Sequence, residues 1–165
     1  MLKIIVIRKA AVGLLVLALL TSNSLFSQER DEIRASRMSF RSAERHFSNG
    51  EFDQAVPKYS IILNLIPADI DSRRELKNRL ESLIRLTDIY LNRNVEFARG
   101  CEYLNQYIED MSVARKSGVL RSSELLEFLE MEQLYIKKRT SVCERLKKSD
   151  SDYERMKKEL DKEIR

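Results

Sequence analysis

Few residues of this chain have the type and spacing that catalysis requires. The single histidine, His46, has no Ser, Cys or Asp motif nearby that would supply a positioned partner for acid–base or nucleophilic chemistry. The four glycines are scattered along the chain, so no phosphate-binding loop is predicted. The carboxylate pairs Glu124/Glu127 and Glu130/Glu132 occur among many Lys and Arg residues, which is typical of a solvated helix face. We therefore predict no catalytic residues and interpret His46 as a partly exposed helix residue.

The two cysteines could form a disulfide but not a metal or redox centre. A zinc site needs more Cys and His ligands than this chain has, and Cys101 and Cys143 lack the CxxC spacing of redox catalysis. If consecutive antiparallel helices meet near Gly118, the two residues are about 12 Å out of register at 1.5 Å per residue. A disulfide tolerates Cα separations up to roughly 7 Å. A disulfide and two separate thiols both remain open, and no metal or cofactor is predicted.

Residues 1–27 have the organisation of an export signal. Arg8 and Lys9 precede an apolar run from Ala10 to Leu20, and a small polar segment ends at Ser27. The run is much shorter than the roughly 20 residues of a membrane-spanning helix. We expect cleavage after Ser27 and delivery to the periplasm, or outside the cell, of a bacterium. The alternative is an uncleaved signal-anchor in which Ile4–Ile7 lengthens the apolar run.

Charge and composition narrow the class of protein further. The formal net charge of +4 comes mainly from residues 1–27, which carry three cations, Lys3, Arg8 and Lys9, and no acid. Later cations alternate with acids, whereas a duplex-binding protein gathers its cations on one face. A nucleic-acid partner is therefore not predicted. The 34% of charged residues with only 4 Gly and 2 Pro favours long amphipathic helices.

The spacing of apolar residues predicts an all-α mature chain. We expect helices over about 30–48, 53–66, 72–91, 95–116 and 122–148, arranged as a short array of antiparallel hairpins. A separate C-terminal amphipathic helix is predicted to begin at a capping box of Ser151 and Glu154. One stripe of that helix carries Tyr153, Met156, Leu160 and Ile164, which favours self-association or a single partner helix. The domains are then a signal peptide, 1–27, a helical domain, 28–148, and an amphipathic helix, 149–165.

Local signals predict how three helices start. Asp53 is the expected N-cap of the second helix, which would place Pro57 in the first turn, where its missing N–H has no helical partner. Ser72 and Glu75 form a capping box for the third helix. A serine at 122 or 123 is expected to cap the fifth helix.

The segment from Asn49 to Asp69 resembles the second half of a tetratricopeptide repeat. The matching residues are Gly50, Phe52, Ala55, Tyr59 and Pro67, with Ala43 at the small packing position of the preceding helix. In this family the glycine makes the turn, the alanine lets two helices approach, the aromatic fills the space between them and the proline ends the second helix. A second unit matches more weakly. Gly100, Leu104 and Tyr107 take the places of Ala55, Tyr59 and Ile62, but the offset is 45 residues, whereas the family repeats about every 34. The resemblance implies a short α-solenoid, and a generic α-hairpin array is the alternative.

The resemblance also implies a binding surface instead of a reactive one. Tetratricopeptide arrays bind peptides or other proteins in a groove lined by the first helix of each pair. The candidate groove residues are Arg37, Arg41 and Arg45 on the first helix and Arg73 and Lys77 on the third, flanked by Glu44, Asn78 and Arg85. Because cations outnumber acids, an acidic or carboxylate-bearing segment is the expected ligand.

We therefore expect an exported, non-catalytic adaptor that binds another protein of the bacterial envelope. Three alternatives stay open: a membrane-anchored sensory or assembly subunit, a periplasmic coiled-coil chaperone, and an enzyme with an unconventional carboxylate site. Contact with a membrane is expected only through an uncleaved signal segment.

Overall fold

The computed structural model describes residues 30–93 and 96–163, except for the side chains of 153, 154 and 156–163. The predicted export signal, 1–27, lies outside the described residues. The side chains of the predicted apolar stripe, Tyr153, Met156, Leu160 and Ile164, also lie outside what is described.

The described chain is an all-α array of adjacent helix pairs, as predicted, and contains no strand. Helix α1 spans residues 30–48. It is followed by α2 (Phe52–Leu65), α3 (Arg73–Asn92), α4 (Phe97–Ser117) and α5 (Ser122–Lys138). A π-helical turn, Arg139–Cys143, then connects α5 directly to α6, Glu144–Glu163.

The helices form two layers with α3 at the centre. Helix α3 packs against α2 and α4, and α4 packs against α5. Ion pairs connect α3 to the other neighbours: Arg37 of α1 reaches Glu75, and Arg73 reaches Glu124 of α5. Helices α1, α3 and α5 therefore form one layer, while α2 and α4 form the other.

The first hairpin packs around Tyr59 of α2. The side chains of Ala43, Ala55 and Tyr59 are fully buried, and Phe40 and Phe47 of α1 each meet the Tyr59 ring edge-on, with centroids 6.4 Å apart. The two alanines leave room for this close packing, since neither has a side chain beyond Cβ. Three of the residues that matched the repeat pattern, Ala43, Ala55 and Tyr59, thus lie in the core between α1 and α2.

The turns around this hairpin lie where the pattern predicted them. Gly50 adopts a φ of 77° in the turn after α1, a conformation that glycine reaches without steric cost. Phe52 is the first residue of α2, and Pro67 follows the end of that helix. Phe52 packs edge-on against Phe47 with centroids 5.6 Å apart, which closes the hairpin at its turn.

The second hairpin and α5 share another core. Tyr107 of α4 is fully buried, as are Leu80, Leu104 and Met111. The Tyr107 hydroxyl donates a hydrogen bond to the Phe128 carbonyl oxygen at 2.8 Å, and its ring meets Tyr135 edge-on at 5.7 Å. This tyrosine therefore attaches α5 to α4.

A buried ion pair connects three helices. The Arg79 Nε of α3 donates to Asp110 Oδ2 of α4 at 2.7 Å, and its Nη1 donates to the carbonyl oxygens of Leu63 and Ile66 at the end of α2. Burial raises the pKa of the Asp110 carboxyl above its usual value, although the hydrogen bond from Arg79 opposes that change. Arg79 thus provides donors for carbonyl groups that the end of α2 leaves without helical partners.

A disulfide joins Cys101 of α4 to Cys143 in the π-helical turn, with Cα atoms 5.7 Å apart. The sequence left this pairing open, because the expected offset of about 12 Å between the two residues was larger than a disulfide tolerates. The expected offset was too large because α4 ends at Ser117 and α5 begins only at Ser122. The π-helical turn also places an extra residue in one turn, which changes the register of Cys143.

The predicted helix starts need correction. Helix α2 begins at Phe52 with Glu51 as its N-cap, so Asp53 is not the cap and Pro57 lies inside the helix, beyond its first turn. The turn at Gly50 already reverses the chain, and the Glu51 carbonyl oxygen accepts from the N–H groups of Gln54 and Ala55. Similarly, the N-cap of α5 is Arg121 instead of a serine, and Glu124 accepts from the Arg121 N–H at 3.1 Å.

Both predicted capping boxes are wrong. Ser72 is the N-cap of α3, as predicted, but its side chain makes no capping hydrogen bond, and the Glu75 carboxylate accepts from Arg37 Nε at 2.7 Å instead of from the Ser72 N–H. No helix begins at Ser151: that residue and Glu154 lie inside α6. A cap needs a break in the helix before it, and Glu, Arg, Leu and two Lys at 144–148 favour continued helix.

Candidate functional site

The outer side of the layer formed by α1, α3 and α5 is the candidate binding surface. We name it the α1–α3–α5 face and define it by the outward side chains of Arg41, Arg45, Lys77, Glu81, Arg85, Glu127 and Met131. Arg41 belongs to it because it lies one helical turn after Arg37 and one before Glu44, both of which reach α3. Both Arg41 and Arg45 are exposed.

A cleft between α3 and α5 lies on this face. Its volume is about 230 Å³, and it is lined by Glu81, Ile84, Arg85, Glu127, Phe128 and Met131. Three of these side chains are apolar and three are charged. We call it the α3–α5 cleft.

One wall of the cleft is held by a network around Glu44 of α1. Glu44 Oε1 accepts from the Tyr59 hydroxyl at 2.6 Å and from Arg85 Nε at 3.1 Å, and Oε2 accepts from Arg85 Nη2 at 3.2 Å. The Arg85 guanidinium also lies 4.6 Å from the centre of the Phe47 ring. The Arg85 side chain is therefore fixed in the unbound chain.

The charges in this network shift two pKa values. Burial alone would lower the pKa of Arg85, but the hydrogen bond to Glu44 and its charge raise it above the ordinary value. Burial and the same carboxylate raise the pKa of Tyr59. Both groups are protonated at neutral pH, and the raised pKa values keep their hydrogen bonds to Glu44 intact to higher pH.

The rim of the cleft brings carboxylates close together. Burial raises the pKa of Glu81, the Lys77 ammonium at 3.7 Å opposes this, and the charges of Glu44 and Glu127 raise it further. With two carboxylates, Glu81 and Glu127, and one guanidinium, Arg85, in its lining, the α3–α5 cleft is more acidic than the α1 end of the face, where Arg41 and Arg45 are exposed.

Most of the predicted groove cations are already paired within the chain. Arg37 binds the fully buried Glu75 at 2.7 Å, Arg73 pairs with Glu124 at 3.7 Å, and Lys77 pairs with Glu81. Among the residues that the structure describes, no ion pair engages Arg41 or Arg45. These two arginines are thus the predicted groove residues that remain available to a partner.

The sequence did not predict the α5 side of the cleft. Glu127 was interpreted as a residue of a solvated face, and Met131 was not singled out. The prediction was also wrong for Glu132, which is buried and pairs with Arg115 at 3.2 Å. Helical spacing places Glu127 and Met131 one turn apart, a signal that becomes informative only once α3 is known to lie beside α5.

His46 lies away from the cleft, near the turn between α1 and α2. Its Nδ1 is hydrogen-bonded to Glu51 Oε2, and this bond lowers the pKa of the Glu51 carboxyl. In the described part of the chain, no group of three His, Cys, Asp or Glu side chains is arranged to hold a metal ion.

A second concavity of about 170 Å³ lies between α2 and α3. It is lined by Phe52, Asp53, Val56, Ile89 and Tyr90.

No helix within residues 30–93 and 96–163 is long and apolar enough to cross a bilayer.

Comparisons with protein-family models, with curated proteins and with solved structures found no match for this chain. Its function is therefore inferred from its residues and their arrangement.

Proposed function

We propose that this chain is an exported, non-catalytic adaptor that binds a segment of another protein on the α1–α3–α5 face. The observation that carries the proposal is the α3–α5 cleft. Its apolar lining from Ile84, Phe128 and Met131 beside a charged rim suits a protein side chain together with its polar backbone.

The size of the cleft favours a side chain over a small metabolite. Pockets for small molecules usually enclose about 300–1,000 Å³, whereas this cleft has about 230 Å³. The Arg73–Glu124 pair joins its two flanking helices, and the Glu44–Arg85 hydrogen bonds hold one wall against α1. A site that is formed before binding loses less conformational entropy when its partner arrives.

The arrangement of the helices supports the same proposal. In helical repeat arrays the stacked hairpins present an extended binding surface, and the resemblance of residues 49–69 to a tetratricopeptide repeat implies such a role. Helix α6 continues α5 through the π-helical turn. It supplies a second candidate surface for self-association.

Export is the second part of the proposal. Residues 1–27 have the pattern of a cleavable signal, and the disulfide between Cys101 and Cys143 suits an oxidising compartment such as the periplasm. Mass spectrometry of the chain from fractionated bacteria tests this directly. We expect a periplasmic species that begins at Gln28, while a membrane-bound species that retains Met1 would favour the anchored alternative.

Photo-crosslinking in living cells tests the binding surface. A photoreactive amino acid at Met131 probes the cleft, and the same amino acid at Ile61, which is exposed on α2 in the other layer, is the matched control. We expect one discrete envelope protein to crosslink at Met131 and not at Ile61. Equal crosslinking at both positions, or none at Met131, would contradict the proposal.

A further inference from the structure

Helix α1 presents a stripe of arginines to solvent. Arg30, Arg34, Arg41 and Arg45 are all exposed, and their spacing places them on one side of the helix. We call these four residues the α1 arginine stripe. It extends over about 22 Å at 1.5 Å per residue.

The carboxylates of α1 do not neutralise the stripe. Glu44 accepts hydrogen bonds from Tyr59 and Arg85, on the side that faces α2 and α3. By their helical positions, Glu32 lies on the far side of α1, and Asp31 is one turn from Arg34 alone among the four arginines. Like charges one turn apart destabilise a helix, so intrahelical stability does not explain this arrangement.

Arg37, beside the stripe, shows how these side chains can bind a neighbouring helix. Its Nε donates to Glu75 of α3 at 2.7 Å, so an arginine of α1 already holds a carboxylate from an adjacent helix. Arg34 and Arg41 lie about one turn before and after Arg37 but point further outward, to a side that no described element covers. A helix placed there would meet the stripe with the same geometry.

We propose that the α1 arginine stripe binds an acidic α-helical segment of the partner protein, lying lengthwise along α1. This inference rests on the proposed function and adds the chemistry of the partner. Carboxylates one turn apart match guanidinium groups one turn apart, and arginine binds carboxylates through paired, directional hydrogen bonds. Met38, which is 65% exposed beside the stripe, supplies an apolar contact for the same helix.

The packing of α1 favours a protein partner over a membrane surface. An interfacial helix inserts its apolar side into the lipid, but the apolar side of α1 is committed to the protein core. Ala43 is fully buried, and Phe40 and Phe47 pack against the ring of Tyr59. Apart from Met38, the outer side of α1 therefore offers lipid only surface charge.

Peptide binding to the purified mature chain tests the inference. The probe is a fluorescent alanine-based helical peptide that carries glutamates at the spacing of the four arginines. One control peptide has glutamine at those positions, and another has the same glutamates distributed around the helix. Vesicles of phosphatidylglycerol and phosphatidylcholine form the lipid arm of the experiment.

Charge reversal identifies the surface that binds. The test variant combines Arg34→Glu, Arg41→Glu and Arg45→Glu. The control combines Lys116→Glu, Lys137→Glu and Lys147→Glu, which reverses as many exposed cations away from α1. If circular dichroism shows that the test variant is misfolded, glutamine replaces glutamate at the same three arginines.

We expect the spaced glutamate peptide to bind more tightly than either control peptide, with an affinity that falls as salt rises. The test variant should lose at least about tenfold in affinity, and the lysine control should change less than about twofold. Equal binding of the glutamate and glutamine peptides, an unaffected test variant, or binding to vesicles without binding to peptide would overturn the inference. If the peptide result fails but a partner protein still crosslinks at Met131, the proposed function stands and only this inference fails. If the peptide binds as expected but no partner crosslinks at Met131, the proposed function alone is contradicted.

Discussion

At the scale of single residues, Arg79 contributes most clearly to holding the fold together. Its guanidinium pairs with Asp110 and donates to two carbonyl oxygens at the end of α2. Both side chains of the pair are nearly inaccessible to solvent. One buried side chain thus connects α2, α3 and α4.

Replacing Arg79 with alanine should destabilise the chain strongly. The change leaves Asp110 buried without its cation and removes the donors of the α2 carbonyls, a loss of about 3–5 kcal/mol for a broken buried pair. Urea unfolding monitored by circular dichroism measures this. The exposed Lys116→Ala change is the control and should stay within about 0.5 kcal/mol of the native chain. An Arg79→Ala chain as stable as that control would contradict this role.

The buried tyrosines predict a loss of stability at alkaline pH. Burial raises the pKa of Tyr59 and of Tyr107, and raises that of Tyr135 to about 12, while an unfolded tyrosine titrates near 10. Folding therefore holds these protons more tightly. The stabilisation that results from these raised pKa values is fully present below about pH 10, and it is lost as the pH rises toward the pKa values of the folded chain.

Ultraviolet absorbance of tyrosinate, followed together with circular dichroism, tests this prediction. The absorbance of these three tyrosines should appear only as the helical signal falls, and Tyr107→Phe should remove part of that late step. Complete tyrosine titration near pH 10 with the helical signal intact would show that the phenols are accessible in the folded chain.

These residue roles could not be predicted from the sequence. Arg79 and Glu75 lie in regular helical positions, and their partners Asp110 and Arg37 are distant in the chain. Glu75 matched a capping box by spacing, but an arginine of another helix competes successfully for its carboxylate. Local pattern identifies a donor and an acceptor; only packing decides which ones meet.

At the scale of helices, Gly100 sets how closely α3 and α4 approach. A Cβ atom at this position would lie 2.7 Å from Leu91 Cγ and Cδ2 and 3.0 Å from Tyr90 Cβ. The repeat-like pattern placed Gly100 at a small-residue position, and the structure gives the steric reason for a small residue there.

Gly100→Ala should destabilise the chain even though alanine favours helix. The propensity gain of up to about 1 kcal/mol is outweighed by overpacking, which costs about 1–3 kcal/mol. Urea unfolding of a double-mutant cycle with Leu91→Ala measures the coupling. In the Leu91→Ala background, Gly100→Ala should become neutral or favourable. A stabilising effect of Gly100→Ala in the native background would show that the two helices are less close.

The disulfide should stabilise the position of the π-helical turn against α4. It closes a segment with a sequence separation of 42 residues, for which the chain-entropy relation gives about 4 kcal/mol. Reduction should lower the urea midpoint accordingly, while a Cys101→Ser/Cys143→Ser chain should not respond to reductant. An oxidised chain whose midpoint is unaffected by reductant would indicate unpaired thiols.

The helices themselves were largely predictable because each has a long periodic apolar stripe and a clear turn signal such as Gly50 or Gly118. The continuity of α5 and α6 was not, because Ser151 and Glu154 match a helix start that the strongly helical residues before them override. The π-helical turn has no distinct pattern in the sequence.

At the scale of the whole molecule, two layers of helices place the cleft and the arginine stripe on the same face. The sequence predicted that the first helices of successive pairs would form a binding face with Arg41 and Arg45 on it. It could not predict the acidic, partly apolar cleft, since Glu127 and Met131 belong to a site only when α5 lies against α3. The resulting face is basic along α1 and more acidic at α5.

The affinity of the crosslinked partner for two matched variants tests the central claim most directly. Met131→Lys places a charge in the α3–α5 cleft, and Ile61→Lys places the same charge on exposed α2. Calorimetry with the purified partner should show at least about a tenfold loss for Met131→Lys, as truncation of a central contact residue does, and native affinity for Ile61→Lys. Native affinity for Met131→Lys, with the loss found at Ile61→Lys instead, would place the binding surface on the opposite layer and contradict the account.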